Sequence, residues 1–452
     1  MIDQIRRSGA ALLVLLCLAN ALNLSDRILL GVVQEPIKAE FGLSDFQLGL
    51  LGGPAFAVLY SLLGLPIARF AERSNRSLIV AGALALFSAM TAACGVAQSF
   101  FQLLLARLGV SVGEAGISPP ALSLISERYR QERRGMAMSI FAIGGPIGAL
   151  FATIGAGAIA QSHGWRASFL LFGGAGIILA AVIALLVPDR AQRVPAGQSV
   201  SFRHAAGFLF QRRTVVHICI ASALTGASAM FISQYLVSFF MRVHGLSLAG
   251  AAAVMGAMAI FGIIGSFIAG YVSDVASRRW AGARPMVCAI CFLLAAPAYA
   301  LSFWVPMLPL ALAALFFAAA VLNCYTGLSY ASLSSVVPPT MRATVIAFFT
   351  IAANLIGYAF GPPLFGKLSD MIAASARAAA GLDAQLCASQ PALSECVAAS
   401  GTGLRWALSI ACLLFLVAAF HFWRASRAMP EEIINEGPMA PDGHPSDQET
   451  TK

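Results

Sequence analysis

Apolar residues are not distributed along this chain with the period of an amphipathic helix or strand. They come as solid runs of about 20, long enough for a helix to cross a bilayer. Such runs can be marked at roughly 9–33, 46–70, 78–97, 99–124, 136–160, 167–187, 214–240, 248–272, 286–304, 307–335, 343–371 and 403–425. Short polar turns separate most of them. The long polar interruption at 188–213 divides the series into six and six, and the stretch 428–452 is rich in proline, acidic and polar residues. The pattern predicts an all-α membrane protein of twelve transmembrane helices in two six-helix bundles. These are residues 1–187 and 214–427, joined by a cytoplasmic linker at 188–213 and followed by a disordered cytoplasmic tail at 428–452. Arg6 and Arg7, the apolar run and Ala19-Asn20-Ala21 resemble a signal peptide, but apolar character resumes to Val33, so the segment is read as an uncleaved first helix.

Composition agrees with that pattern. Hydrophobic residues make up 59 % of the 452 and charged residues 11 %, too few to solvate a soluble chain of this size. Most of the 29 lysines and arginines fall at alternate ends of the runs, which places both termini in the cytoplasm of a bacterial-type inner membrane. The net charge of +9 therefore reflects topology, and no basic patch has the aromatic interleaving of a nucleic-acid surface. Seven of the nine cysteines lie in apolar runs as small packing residues. Cys387 and Cys396 share a polar loop on the non-cytoplasmic side, where a disulfide or two free thiols are both open readings. No nucleophile–base set, metal-ligand cluster or phosphate loop is present, so neither an enzyme nor a metal site is expected.

The two halves repeat. Gly42-Leu43-Ser44 opens the second run, and Gly245-Leu246-Ser247 opens the eighth about 200 positions later. Glu72-Arg73-Ser74-Asn75-Arg76 after the second run is echoed by Asp274…Arg278-Arg279 after the eighth. Arg134-Gly135-Met136-Ala137 enters the fifth as Arg342-Ala343-Thr344 enters the eleventh; Trp165-Arg166-Ala167 and Leu404-Arg405-Trp406 enter the sixth and twelfth. Two parallel repeats meeting at a midplane site are the plan of a secondary transporter that works by alternating access.

The loop Ala68 to Arg76 resembles the cytoplasmic G-x-x-x-D-R-x-G-R signature of the major facilitator superfamily, with Ala68, Glu72 and Asn75 replacing the first Gly, the Asp and the second Gly. Asn23-Leu24-Ser25-Asp26-Arg27 and Arg107…Gly113-Glu114-Ala115 resemble the N-x-x-D-R and R-x6-E/G-E-A motifs of its spinster-like branch. The resemblance implies the superfamily's fold and proton-linked transport of lysophospholipid or sphingoid-type substrates. It also implies gating roles for Glu72, Arg73 and Asp274.

Asp26, Arg27, Arg107 and Glu114 are ionisable groups inside apolar runs, where each costs several kcal/mol and so marks a functional position. Arg107 and Glu114 lie two turns apart on one helix face. A contact between Asp26 and Arg107 is expected, with Arg27 and Glu114 completing the network. Glu114 is the first candidate for proton coupling and Asp26 the second. Arg27 and Arg107 would hold their charge or bind an anionic headgroup, and Asn20 and Asn23 flank the network. The C-terminal half is nearly uncharged and offers Thr225, Ser228, Gln234, Tyr235, Asn323, Tyr325, Tyr330 and Asn354 as cavity candidates. A charged wall facing a neutral aromatic one suits an amphipathic ligand better than a sugar or a polyanion. Gly145-Pro146 and Gly361-Pro362 occupy equivalent repeat positions as gates or close contacts. The expected function is thus a monomeric, proton-coupled transporter of a lipid-like substrate, with no cofactor, protons as the coupling ion and membrane lipid as its surroundings. The alternatives are an efflux transporter of drugs or small organic ions, and, less suited to the paired charges, a channel or receptor.

Overall fold

The computed structural model describes residues 8–187, 210–338, 349–390 and 393–434, together with 207, 341 and 345. Regular structure among them is helical throughout. In lipid no water can satisfy a backbone N–H or C=O, so an apolar run of this length must close its hydrogen bonds internally. Among the described residues eleven helical segments are long and apolar enough to cross a bilayer. The remaining crossing, the eleventh in chain order, is built from a π-helical turn at Ala352–Tyr358 and the helix Ala359–Ala379. The chain is an integral membrane protein.

The repeated Gly-Leu-Ser triplets are a turn with a physical cause. The first crossing, Gly9–Phe41, ends at Gly42 with φ 64°, and Leu43 N–H returns to the Lys38 carbonyl. Ser44 then accepts from Gln47 N–H and opens the second crossing, with Gln47 closing the capping box. At the equivalent place Arg213–His244 ends at Gly245 with φ 65°, and Ser247 caps Leu248–Ser277. Glycine enters the left-handed region without strain, and serine supplies the acceptor that the next helix start lacks.

Several runs that read as continuous are broken. The second crossing is Asp45–Gly52 and Pro54–Arg73, the fourth Phe100–Ala115 and Ser118–Arg128, the tenth Leu308–Leu322 and Tyr325–Val336. Pro54, Pro119 and Pro120 sit at helix starts, where their missing N–H costs nothing. The fourth crossing also extends four residues beyond its sequence-predicted end. The tail needs correction as well: Ser394–Glu432 is one helix, so residues 428–432 belong to the bundle. Glu432 holds them there by accepting from the Arg213 and Thr214 amides at the start of the seventh crossing. The linker at 188–206 and the tail beyond 434 lie outside the described residues.

In the N-terminal bundle the first crossing packs on the fifth, Gln131–His163, and the third, Arg76–Val96, on the sixth, Trp165–Leu186. Gly144 and Gly148 let the fifth backbone meet the first, and a Cβ on Gly148 would collide with the Ala21 carbonyl. The Ser25 hydroxyl lies 2.7 Å from the Ala21 carbonyl and 2.8 Å from that of Gly148, pinning the contact. Gly148→Leu should therefore destabilise the folded protein by about 1–3 kcal/mol through overpacking. Thermal unfolding in detergent reads this, and a wild-type midpoint would show the contact to be slack.

Candidate functional site

The bundles meet on one side of the molecule and part on the other. Near the termini, Ser118–Arg128 and Tyr325–Val336 pack chiefly within their own bundles. Toward the far side, the first and second crossings press against the seventh and eleventh, and the fifth against the eighth. Between the bundles lies a cavity of about 350 Å³.

Its N-terminal wall carries charge. Arg27 and Arg107 both line the cavity. Arg107 is ion-paired with Asp26, the pair being 2 % and 1 % exposed, and the other Asp26 oxygen accepts from the Thr91 hydroxyl at 2.7 Å. The expected contact between Asp26 and Arg107 is present. Arg27 pairs with Glu114 at 3.0 Å, reaches Asn23 Oδ1 at 3.4 Å and lies over the Tyr60 ring. Glu114 is fully buried, and its second oxygen, Oε1, has no hydrogen-bond partner among the described residues. The two pairs thus differ: Asp26 is saturated, whereas Glu114 keeps an acceptor open. The C-terminal wall is neutral and soft, formed by Met230, Met255, Met258, Tyr299, Tyr325 and Asn323.

The far side is sealed by a network that the sequence reading missed. Arg242, at the end of the seventh crossing, bonds Glu35 of the first crossing through Nε at 3.1 Å and through Nη2 at 2.5 Å. It also donates to both Asp45 oxygens at 2.9 Å. Lys38 pairs with Asp45 as well, and Ser369 donates to it at 2.8 Å. Asp370 accepts from the Asp45 and Phe46 amides at 2.9 Å each, so the eleventh crossing caps the start of the second. Below this layer Gln34 donates to Ser238, Gln234 to the Leu48 carbonyl, and the Tyr235 hydroxyl to the Asp45 carbonyl. Gly49 against Pro362 and Gly52 against the Gln234 amide leave no room for a side chain. A signal did exist: Glu35 and Lys38 shortly precede the first Gly-Leu-Ser turn, and Arg242 precedes the second.

The remaining predicted residues separate cleanly. Gln234, Asn323 and Tyr325 line the cavity. Tyr235 is buried in the seal instead, and Asn20 donates to the Phe141 carbonyl, tying the first crossing to the fifth. Thr225 and Ser228 are packing residues whose hydroxyls satisfy the Ala221 and Ala411 carbonyls. Tyr330 packs edge-on against Phe349 rather than on the cavity wall. Short polar side chains in an apolar helix readily bond backbone carbonyls, and the sequence does not separate that use from ligand binding. Pro362 sits at the seal, Gly361 packs on Ala227 within its bundle, and Gly145 with Pro146 lies in the contact between the first and fifth crossings. Asp274 is exposed and pairs with Arg284 at 3.6 Å. The side chains of Glu72, Arg73 and Asn354 lie outside the described residues. Cys387 and Cys396 are joined in a disulfide.

A model of the Major Facilitator Superfamily matches residues 16–362. An MFS-type efflux pump of Mycolicibacterium smegmatis is 31 % identical over 95 % of each chain. The sphingosine-1-phosphate transporter SPNS2 of Mus musculus is 28 % identical over 80 % of this chain and 70 % of its own. The crystal structure of a bacterial homolog to the human lysosomal transporter Spinster, inward-facing and unoccupied, superposes with a TM-score of 0.85 at 29 % identity, covering 95 % of this chain and 99 % of that one.

Proposed function

The chain belongs to the Major Facilitator Superfamily and is a spinster-like transporter rather than an enzyme, and from that premise we propose that it couples proton movement to transport of an amphipathic, lipid-like substrate. With both termini cytoplasmic, the cavity opens to the cytoplasm and the Arg242 network closes the opposite side. The observation that carries the coupling is the pairing of Glu114 with a cavity-lining arginine while one carboxylate oxygen stays open. A proton arriving there cancels the charge that holds Arg27. The freed guanidinium can then take a phosphate or carboxylate, for which its fork geometry is suited. Asp26, whose two oxygens are taken by Arg107 and Thr91, is the frame against which this exchange occurs.

The wall opposite selects for an apolar tail. Thioether and aromatic groups adapt to chains of differing shape, and Met230, Met255 and Met258 present three of them. A cavity of about 350 Å³ takes a headgroup with the first part of a chain. The name of the SPNS2 relative supports a lysolipid or sphingoid substrate; that of the mycobacterial relative supports a second reading, efflux of amphipathic drugs.

Purified protein in proteoliposomes under an imposed pH gradient separates these. Wild type is expected to accumulate a lysolipid, and Glu114→Gln to reduce gradient-driven uptake to background while still binding it. Undiminished gradient-driven uptake by Glu114→Gln removes the coupling role. Movement of an unrelated drug with no lysolipid moved or bound transfers the substrate assignment to the second reading.

A further inference from the structure

Outside the transport cavity, a cleft of about 410 Å³ lies between the start of the seventh crossing and the end of the twelfth. It is lined by Arg213, His217, Trp423, Arg424, Arg427 and Glu431. Three guanidiniums share it with one carboxylate, and among the described residues none of the three is ion-paired. The helix start beside them is already satisfied, because Glu432 accepts from the Arg213 and Thr214 amides. What the cleft offers an anion is therefore its side chains. His217 on the cleft wall has its Nδ1 2.9 Å from that of His421.

The surface leading into the cleft has the profile of half a membrane. Leu413, Leu416, Val417, Phe420 and Trp423 form one exposed stripe along the twelfth crossing. The stripe then turns basic at Arg424 and Arg427, with the Arg427 guanidinium over the Trp423 ring. From Leu413 to Arg424 the helix rises about 16 Å, close to half the roughly 30 Å hydrocarbon thickness. Tryptophan settles at the interface and arginine just beyond it.

We propose that this cleft binds the phosphodiester headgroup of an anionic phospholipid, with its acyl chains lying along the Leu413–Phe420 stripe. Arg424 and Arg427 clamp the phosphate, and Arg213 closes the site from the seventh crossing. A bound lipid would thereby join the two helix ends that Glu432 already staples. Juxtamembrane basic clusters attract anionic headgroups in general. Here the cleft adds shape, and the aromatic step sets depth. The proposal is independent of what the central cavity transports.

The test uses the full-length protein in neutral detergent, titrated with phosphatidylglycerol, with phosphatidylcholine of the same acyl chains, and with inorganic phosphate. Native mass spectrometry reads retained lipid, and thermal unfolding reads stabilisation. Phosphatidylglycerol is expected to be retained and to raise the midpoint, whereas phosphatidylcholine and phosphate leave it unchanged. Arg424→Gln with Arg427→Gln should weaken retention tenfold or more, and Arg279→Gln, an exposed arginine that does not line the cleft, should not. Both cleft arginines are exposed, so the double variant should fold, and its lipid-free midpoint verifies that. Equal retention by the double variant, or an equal shift with phosphatidylcholine, overturns the site. Phosphate competing as well as the lipid overturns the lipid assignment.

Discussion

Arg242→Gln should open the side of the molecule that is now sealed. The Arg242 guanidinium is the cation on which Glu35 and Asp45 converge, and its side chain is only 5 % exposed. Without it, two carboxylates from the N-terminal bundle face the C-terminal bundle with Lys38 alone as counter-charge. Removing one partner of a buried ionic group costs about 3–5 kcal/mol, because the remaining charge stays desolvated. That cost falls only on the sealed state, since in an open state both acids meet water. The ratio of open to sealed protein should rise by roughly 10²- to 4 × 10³-fold. Spin labels at Val96 and Met307, exposed positions at the far ends of the two bundles, should report a longer interbundle distance. Adding Glu35→Gln and Asp45→Asn should return much of the sealed population by removing the stranded charge. An unaltered distance distribution in Arg242→Gln would mean that the seal rests on the glycine contacts and the Asp370 cap.

That seal also marks where reading the sequence stops. Buried charges at 26, 27, 107 and 114 stood out because nothing else in their runs is charged, and the Gly-Leu-Ser turns were visible as repeats. Glu35, Lys38, Asp45 and Arg242 lie at the ends of runs, where a charge ordinarily records topology. Their significance comes from pairing across 207 and 197 positions, which no local pattern encodes. The breaks in the second and fourth crossings had a local sign in Gly53-Pro54 and Pro119-Pro120. The break at Asn323-Cys324 has neither glycine nor proline beside it to announce it. Thr225, Ser228 and Tyr235 illustrate the same limit: side-chain type was legible, but its direction was not.

The two N-terminal charge pairs should respond differently to neutralisation, and the difference separates frame from machine. Asp26→Asn leaves the Arg107 cation 2 % exposed, with its Nε already without a partner. The expected loss is again about 3–5 kcal/mol, a large part of the 5–15 kcal/mol that holds a typical domain together. Glu114→Gln also releases an arginine, but Arg27 is 19 % exposed toward the cavity and keeps Asn23 and the Tyr60 ring. Its charge can be solvated where it stands, so stability should fall much less while coupling is lost. The order of unfolding midpoints is then wild type, Glu114→Gln, Asp26→Asn. Replacing the inner pair together, as Asp26→Leu with Arg107→Met, should recover stability, since an apolar pair of similar volume carries no desolvation cost. If Glu114→Gln unfolds as readily as Asp26→Asn, both pairs are struts and the proton site must be sought elsewhere. If the order holds, the open oxygen of Glu114 is the feature that turns one of two similar ion pairs into a switch.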